Sequence, residues 1–342
     1  PGMFGQVVVR KEPLGVAAAV VPWNVPLFVT ILKLAPAFLA GCSVVLKPAP
    51  ETPLSAYDLH EIFAEAGLPP GVLNIVAAGR EVGEHLVTHP GIDKVGFTGS
   101  TAAGKRIAAL CGELLRPCTL ELGGKSAAIV LDDADLAQTV QGIIDGGILN
   151  NGQACVAQTR ILASRSRYDE VVDALTEAVA AQVVGDPMDP ATQVGPLVAD
   201  RQRDRVLGLI DKGKNEGARV TTGGGRPAFD TGFFVDPTVF ADVTNDMTIA
   251  REEIFGPVLS VIAYDGVDDA VAIANDSPYG LSGSVWGADG AAAADIARRM
   301  DTGTVTINHF GMAFGAPFGG YKDSGLGREL GPEGVDAYLQ KK

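Results

Sequence analysis

The sequence has few cysteines and few histidines, four of each among 342 residues. Cys42, Cys111, Cys118 and Cys155 are too few and too irregularly spaced for a disulfide framework, and no Cys-x-x-Cys pair or histidine-rich cluster indicates a zinc site. Unpaired thiols fit a reducing compartment. We therefore expect a cytoplasmic protein without a bound metal, in which Cys42, Cys111 and Cys118 are small buried residues.

Long apolar runs and an excess of basic residues are also missing. No apolar stretch approaches the ~18 residues that a membrane-spanning helix needs, and the first residues lack the basic and apolar segments of a signal peptide. The formal charge of -14 would repel phosphate backbones and anionic lipid. Neither a nucleic acid nor a membrane is an expected partner.

The chain is long enough for two subdomains, because a single hydrophobic core seldom grows to 342 residues. Short apolar runs alternate with helical patterns, which predicts parallel βαβ units in an α/β fold. Strands are predicted near residues 6–10, 16–21, 43–46, 72–76, 95–97, 258–263 and 304–307, and helices over 52–67 and 168–183. In the helix over 52–67, Thr52 is the predicted cap, Gly67 the end, and Leu59, Ile62, Phe63 and Ala66 the apolar face.

Cys155 follows Glu121 by 34 positions. A thiol nucleophile and a carboxylate base can together perform covalent chemistry on a carbonyl carbon. Taken alone, a cysteine between small residues is more often an inert core residue.

Three further segments follow predicted strands. Gly99 and Ser100 lie in a glycine-containing strand-to-helix turn, where backbone N–H groups can hold a phosphate. Lys47 ends a strand, where open parallel sheets place ligands. Asn24 stands between Pro22 and Pro26, which restrict the backbone and could hold an amide toward an oxyanion. A structural turn, a solvated lysine and a proline-rich surface turn are the respective alternatives.

Six motifs, in this order, resemble those of the aldehyde dehydrogenase superfamily. They are PWNVP at 22–26, FTGS at 97–100, ELGGK at 121–125, GQAC at 152–155, EEIFGP at 252–257 and PFGGYKDSG at 317–325. The resemblance covers nearly the whole chain. It implies two interleaved, doubly wound α/β domains, of which one is a Rossmann-like cofactor domain and the other a catalytic domain.

The resemblance also implies domain limits. Residues 14–123 would form the NAD(P)-binding domain without its N-terminal part, and residues 124–325 the catalytic domain. Residues 1–13 would be the remnant of an oligomerisation strand, and residues 326–342 a tail toward the oligomer interface. A homodimer or homotetramer is expected for a full-length protein.

The catalytic roles follow from the same motifs. Cys155 resembles the nucleophile, Glu121 the general base and Asn24 the oxyanion-hole amide. Lys33 and Glu329 resemble a proton-relay pair. The implied reaction oxidises an aldehyde through a thiohemiacetal and a thioester on Cys155, and water activated by Glu121 then releases the acid.

The implied cofactor is NAD. Its predicted contacts are Trp23, Lys47, Gly99, Ser100, Leu122, Glu253 and Phe255. NADP stays open as a second cofactor, because Pro50 stands three residues after Lys47, where NAD-selective members often carry a glutamate.

The positions matching the family's aldehyde funnel are all apolar. They are Val25, Val29, Leu32, Leu149, Ala154, Val156 and Phe318. With no Arg or Lys among them to pair a carboxylate, we expect a medium-sized aliphatic or aromatic aldehyde. Two alternatives remain: an inactive structural or interaction protein of the same fold, because of the shortened N-terminus, and a cofactor-independent thiol esterase.

Overall fold

The structure is a computed structural model that describes residues 7–342. Its strands are β1 (Lys11–Pro13), β2 (Val16–Val20), β3 (Ser43–Lys47), β4 (Leu73–Ile75), β5 (Lys94–Thr98), β6 (Cys118–Glu121), β7 (Ser126–Val130), β8 (Gln158–Ser164), β9 (Arg219–Thr222), β10 (Thr238–Ala241), β11 (Val258–Tyr264), β12 (Tyr279–Gly280), β13 (Gly283–Trp286), β14 (Thr306–Ile307), β15 (Tyr321–Lys322), β16 (Gly325–Leu326) and β17 (Leu339–Lys341).

Helices separate most of these strands. They are α1 (Pro26–Leu39), α2 (Leu54–Glu65), α3 (Arg80–Thr88), α4 (Thr101–Glu113), α5 (Leu136–Gly147), α6 (Tyr168–Ala180), α7 (Asp200–Asn215), α8 (Thr248–Arg251), α9 (Val267–Asn275), α10 (Gly290–Ala297) and α11 (Gly331–Asp336), with a 3₁₀ turn at Leu149–Gly152. The alternation gives the predicted α/β fold.

The first compact unit runs to Glu121 and includes Ala313–Gly319 and Gly325–Lys342. Its six-stranded sheet has the order β16-β6-β5-β2-β3-β4. The strands from β6 to β4 are parallel, and β16 pairs with β6 in the antiparallel direction. Successive strands are added on both sides of β2, so the sheet is doubly wound.

The second unit comprises Leu122–Met312 and Gly320–Ser324. Its seven-stranded sheet has the order β14-β13-β7-β8-β11-β10-β9, parallel except at β9. Alternate residues of β7 pack into different clusters, with Ile129 in one and Ala128 and Val130 in the other. Both faces of this sheet are therefore covered, which explains why β7 is apolar from Ala127 to Val130.

The first predicted strand lies a few residues later than expected. Residues 7–10 are not a strand, whereas β1 pairs with β17 in the antiparallel direction, from Lys11 opposite Lys341 to Pro13 opposite Leu339. β1 can form a strand pair there because β17, near the last residue, lies beside it. Arg10, which precedes β1, also exchanges two backbone hydrogen bonds with Lys342. Residues 1–6 lie outside the described residues. They include residue 6 of the predicted strand and the first part of the predicted oligomerisation remnant.

The helix predicted over 52–67 also differs at its start. It begins at Leu54 with Pro53 at the N-cap position, so Thr52 lies one residue too early to cap it. The Thr52 hydroxyl donates to the Trp23 carbonyl oxygen at 3.5 Å. Ile62 is 58% exposed, so the buried face is narrower than predicted. Gly67 follows the helix with a φ of 86°, in the left-handed region, as expected for a helix end.

Within residues 7–342, no helix is both long enough and apolar enough to cross a membrane, and no group of three acidic, histidine or cysteine side chains could hold a metal ion.

Arg160 in β8 is the main buried polar anchor of the second unit. Its guanidinium donates to the carbonyl oxygens of Lys125, Ile273 and Ala274 at 2.9, 2.8 and 2.8 Å, and to the Asn245 side chain at 2.9 Å. One side chain therefore satisfies acceptors from several separate segments.

We predict that Arg160→Met lowers the free energy of unfolding by about 3 kcal/mol or more, because buried carbonyl groups lose their donors. Thermal unfolding should show a melting temperature several degrees lower. Arg165→Met is the matched control, since Arg165 makes an exposed ion pair with Asp265 and its loss should leave the melting temperature nearly unchanged. Equal melting temperatures for the two variants would contradict this assignment.

Candidate functional site

Four predicted site residues lie at one edge of the first sheet. Lys47 ends β3, Glu121 ends β6, Asn24 follows β2 and Ser100 follows β5. These four strands are parallel neighbours, with Val20 opposite Lys47 and Thr98 opposite Glu121, so their carboxyl ends meet at the same edge. The sheet order reverses at β2, and open α/β sheets bind ligands at such a point.

The turn between β5 and α4 fits a phosphate group. Ser100 is the N-cap residue of α4, and its hydroxyl oxygen accepts from the Ala103 N–H at 3.4 Å. A Cβ on Gly99 would lie 2.6 Å from the Phe97 ring, so a side chain there would collide with the aromatic ring beneath the turn. The free N–H groups of a helix N-terminus favour an anion, and the turn therefore suits the pyrophosphate of a dinucleotide.

Lys47 lies in a confined position beside this turn. It is 6% exposed, and its Nζ donates to the Pro48 carbonyl oxygen at 3.1 Å. Burial lowers the pKa of Lys47, and the nearby Glu51 carboxylate acts in the opposite direction. A Cβ on Gly83 would come within 3.1 Å of Lys47 Cε, so α3 closes one side of the lysine. The solvated-lysine alternative is therefore wrong.

Glu121 is a buried carboxyl group in an unusual environment. It is 3% exposed, and neither carboxyl oxygen has a hydrogen-bond partner among residues 7–342. Burial raises the pKa of Glu121 well above its ordinary value, and the neighbouring Glu329 carboxylate raises it further. Lys33 and Arg328 act in the opposite direction. The neutral form is therefore favoured, and deprotonation to a strong base requires a higher pH than usual.

Lys33 and Glu329 form a buried ion pair through Lys33 Nζ and Glu329 Oε1, with exposed side-chain fractions of 0% and 7%. Glu329 is held in place by its backbone, since its N–H and carbonyl exchange two hydrogen bonds of 2.7 Å with Phe318. The structure thus brings together the two residues predicted as a relay pair, and places their charges within electrostatic reach of Glu121.

Cys155 follows a strained loop in the second unit. Asn150, Asn151 and Gly152 have φ values of 52, 59 and 72°, all in the left-handed region. The Asn151 side chain compensates by accepting from Gly195 N–H at 2.9 Å and donating to the Pro196 carbonyl at 3.1 Å. Such backbone strain persists only where surrounding contacts enforce it, and it is frequent at active sites.

Two glycines of the ELGGK motif bring the backbone close to the other functional residues of this unit. A Cβ on Gly124 would lie 2.3 Å from the Cys155 carbonyl oxygen, and one on Gly123 would lie 2.5 Å from Glu253 Oε2. The Gly124 N–H donates to Glu253 Oε1 at 2.9 Å. Leu122, between Glu121 and these glycines, is buried.

Glu253 and Phe255 lie in the segment that follows α8. Burial raises the pKa of Glu253 to about 7, although the hydrogen bond from Gly124 lowers it. Phe255 has a φ of 61°, and its carbonyl oxygen accepts from the Gln202 side chain at 2.7 Å. Glu253 is therefore a largely buried carboxyl group held by the backbone, and its contact with a ribose stays a prediction.

Some residues predicted to contact the substrate belong to the first unit and others to the second. In the first unit, Val29, Leu32 and Phe318 are buried and Val25 is half-buried. In the second unit, Ala154 is buried, Val156 is half-buried and Leu149 is 45% exposed.

Lys125 is a residue whose importance the sequence reasoning missed. It is fully buried, its Nζ has no hydrogen-bond partner in the described part of the chain, and burial lowers its pKa to about 7. The only sign of this in the sequence was that Lys125 directly follows the two glycines of the ELGGK motif. The anchoring by Asn151 was also missed, because Gly195 and Pro196 are 44 and 45 residues away.

The Aldehyde dehydrogenase family model matches residues 5–342. The chain belongs to this family. The geranial dehydrogenase of Castellaniella defragrans is 59% identical over 334 residues, which cover 98% of this chain and 70% of that protein. The betaine aldehyde dehydrogenase of Brucella anthropi is 45% identical over 337 residues, covering 97% and 69%.

Solved aldehyde dehydrogenases have the same fold. The Mycobacterium tuberculosis enzyme complexed with NAD+ superposes with a TM-score of 0.98 and 58% identity, covering 100% of this chain and 71% of that one. A mutant of aldehyde dehydrogenase C from Pseudomonas syringae, complexed with NAD+ and octanal, has a TM-score of 0.96 and 44% identity, covering 100% and 72%. The predicted family and fold class are confirmed, and so is a dinucleotide of the NAD type, which the family uses.

We predict that Gly124→Ala reduces kcat by about 10²-fold, since the new methyl group would displace the Cys155 backbone and a shift near 1 Å is enough for such a loss. Steady-state aldehyde oxidation measures the effect. Gly112→Ala serves as the control, because a Cβ at this position in α4 meets nothing within 4 Å. Unchanged kcat in Gly124→Ala would show that the close approach does not position Cys155.

Proposed function

We propose that this chain oxidises a medium-sized apolar aldehyde to the carboxylic acid with NAD, and that Cys155 and Glu121 carry the chemistry. The reaction class is that of the family. The substrate class rests mainly on the ion pair between Lys33 and Glu329. Lys33 lies in α1, one turn after Val29, which is a predicted substrate contact. Because it is paired with Glu329, Lys33 offers no free charge for a substrate carboxylate.

Cys155 is the proposed nucleophile. Its thiolate adds to the aldehyde carbon, and the Asn24 amide is proposed to stabilise the resulting oxyanion. NAD, when bound, supplies the acceptor for the hydride that leaves the aldehyde carbon. The product of that step is a thioester on Cys155. The strained Asn150–Gly152 backbone and the Asn151 anchors support this role, because they fix where the nucleophile's loop lies.

Glu121 is the proposed general base for hydrolysis of the thioester. A carboxyl group whose pKa is raised is a stronger base once ionised, and it can accept a proton from water more readily than an ordinary glutamate. The ion pair of Lys33 and Glu329 is the proposed route by which the accepted proton leaves. Its influence on the pKa of Glu121 supports this coupling.

NAD is preferred over NADP in this proposal. Pro50 supplies no carboxylate at the usual position, but Glu51 follows it and acts electrostatically on Lys47. A negative charge near this lysine opposes the 2′-phosphate of NADP. Lys47 and Ser100 are the proposed contacts of the adenosine half, with Trp23 in the adjacent turn. Glu253 and Phe255 are the proposed contacts of the nicotinamide ribose.

The relatives support an apolar substrate. One is named for geranial, and a related structure contains octanal. Betaine aldehyde, named for other relatives, carries a positive charge and is the competing substrate class.

NADH formation at 340 nm tests the whole proposal, with hexanal, benzaldehyde, betaine aldehyde and succinic semialdehyde as substrates and with NAD and NADP in separate assays. We expect kcat/KM for the two apolar aldehydes to exceed that for succinic semialdehyde by at least about tenfold, because an unpaired carboxylate loses its hydration in the funnel. NAD should be more efficient than NADP.

Cys155→Ala is the control for this assay and should abolish NADH formation. Preference for a charged aldehyde would overturn the proposed substrate class but not the proposed reaction. Ester cleavage without NADH formation by the unchanged protein would favour the thiol esterase, and loss of both activities would favour a structural protein.

Replacing Glu329 and replacing Lys33 should shift the pH dependence of kcat in opposite directions. Glu329→Gln removes the carboxylate that raises the pKa of Glu121, so the acid limb should move to lower pH. Lys33→Met removes a cation that lowers this pKa, so the limb should move up. Both variants lose a buried ion pair, and melting temperatures must accompany the profiles. Shifts in the same direction would contradict the electrostatic role.

A further inference from the structure

A small cavity of the second unit lies at the amino-terminal edge of the seven-stranded sheet. Its lining includes Ser126, which begins β7, Arg160 in β8, and Ser282, directly before β13. These three strands are parallel neighbours. The volume of about 10 Å³ leaves room for one water-sized molecule or one monoatomic ion. No residue of the lining has a proposed role in catalysis, cofactor binding or substrate binding.

Three residues of this lining carry buried polar atoms that have no hydrogen-bond partner among residues 7–342. The atoms are Lys125 Nζ, Ser126 Oγ and Thr302 Oγ1. Lys125 and Ser126 are only 2% and 4% exposed. Burial of unpaired polar groups costs free energy, and the cost is largest for an ammonium group. Because all three groups can donate, their presence around one cavity indicates a shared ligand that accepts hydrogen bonds.

The charges around Lys125 favour an anion over a neutral ligand. Arg160 and Arg205 act on Lys125 as cations, and they lower its pKa. Glu252 and Glu253 act on it as carboxylates, and they raise its pKa. These four charges cancel, so a protonated Lys125 leaves one uncompensated positive charge. A monoatomic anion would compensate this charge, whereas water would not.

Asp301 and Tyr279 are the other titratable residues of the lining. The Asp301 carboxylate lies 3.9 Å from Lys322 Nζ and its side chain is 60% exposed, so a lysine and solvent compensate its charge. Burial raises the pKa of Tyr279 to about 12, and this side chain is therefore neutral at ordinary pH. Neither residue removes the excess positive charge at Lys125.

We propose that this cavity binds one chloride ion, held by the ammonium group of Lys125 and the hydroxyl groups of Ser126 and Thr302. Arg160 contributes charge, because its guanidinium already donates to protein acceptors. Lys125 directly follows Gly124, whose backbone lies against the Cys155 carbonyl. The ion would therefore also anchor the segment that limits the position of the Cys155 loop.

Anomalous scattering from bromide tests the site directly in crystals of the unchanged protein. Bromide is a monoatomic anion like chloride, and it gives an anomalous signal that water does not give. We expect an anomalous peak in the cavity within about 3.5 Å of Lys125 Nζ. A peak of water size without an anomalous signal would overturn the proposal.

Thermal unfolding tests the ion in solution. Chloride is compared with gluconate, which is too large for the cavity, at equal ionic strength so that screening stays constant. At pH 6, we expect chloride to raise the melting temperature by about 2 °C or more, because a ligand of the native state stabilises that state. Equal melting temperatures in the two salts would overturn the proposal. Neither this measurement nor the crystallographic one depends on the proposed activity.

Two lysine variants assign the effect to the cavity. Lys125→Met removes the ammonium group and nearly keeps the side-chain volume, so the protein should fold and lose the chloride effect. Lys94→Met is the matched control. Lys94 is also buried, but its Nζ donates to the Thr119 hydroxyl at 2.8 Å and it does not line the cavity. Persistence of the chloride effect in Lys125→Met, or its loss in both variants, would contradict the proposal.

The affinity for chloride should fall as pH rises, because the ion pairs only with protonated Lys125. Burial lowers the pKa of Lys125 to about 7, so without the ion this side chain is mostly protonated at pH 6. At pH 9 only about 1% is protonated. The apparent Kd, obtained from melting temperatures at several chloride concentrations, should therefore rise about 100-fold between these two pH values. The same Kd at both would contradict a role for the Lys125 charge.

Discussion

The lack of space for side chains at Gly123 and Gly124 is the constraint on which the rest of the candidate site depends. Gly124 lets the backbone approach the Cys155 carbonyl, and Gly123 does the same for the Glu253 carboxylate. Glu121 precedes them by only two residues. The five-residue segment from Glu121 to Lys125 therefore carries the proposed base. It also limits where the loop of Cys155, the proposed nucleophile, and the carboxylate of Glu253, the proposed ribose contact, can lie. Few substitutions in this segment are compatible with all three requirements.

Burial of ionisable groups is the second feature that determines the chemistry of the candidate site. The pKa values of Glu121 and Glu253 are raised and that of Lys125 is lowered, each chiefly by loss of water. Removing a charge from water costs free energy, and the group responds by shifting toward its neutral form. Backbone contacts keep these residues in place despite that cost, as with Gly124 and Glu253. Glu253 and Lys125, each with a pKa of about 7, can therefore exchange protons near neutral pH.

The sequence predicted those parts of the molecule that local patterns determine. Lys47 at a strand end and Ser100 at a helix start follow from residues next to them, because hydrophobic periodicity and capping are short-range signals. Thr52 failed as a cap because the helix begins one residue later than predicted, with Pro53 at the N-cap position. Ile62 lies on a helix face whose burial depends on tertiary packing. The hydrogen-bond partners of Asn151 and the complete burial of Lys125 are likewise set by the fold, which a single sequence read locally does not contain.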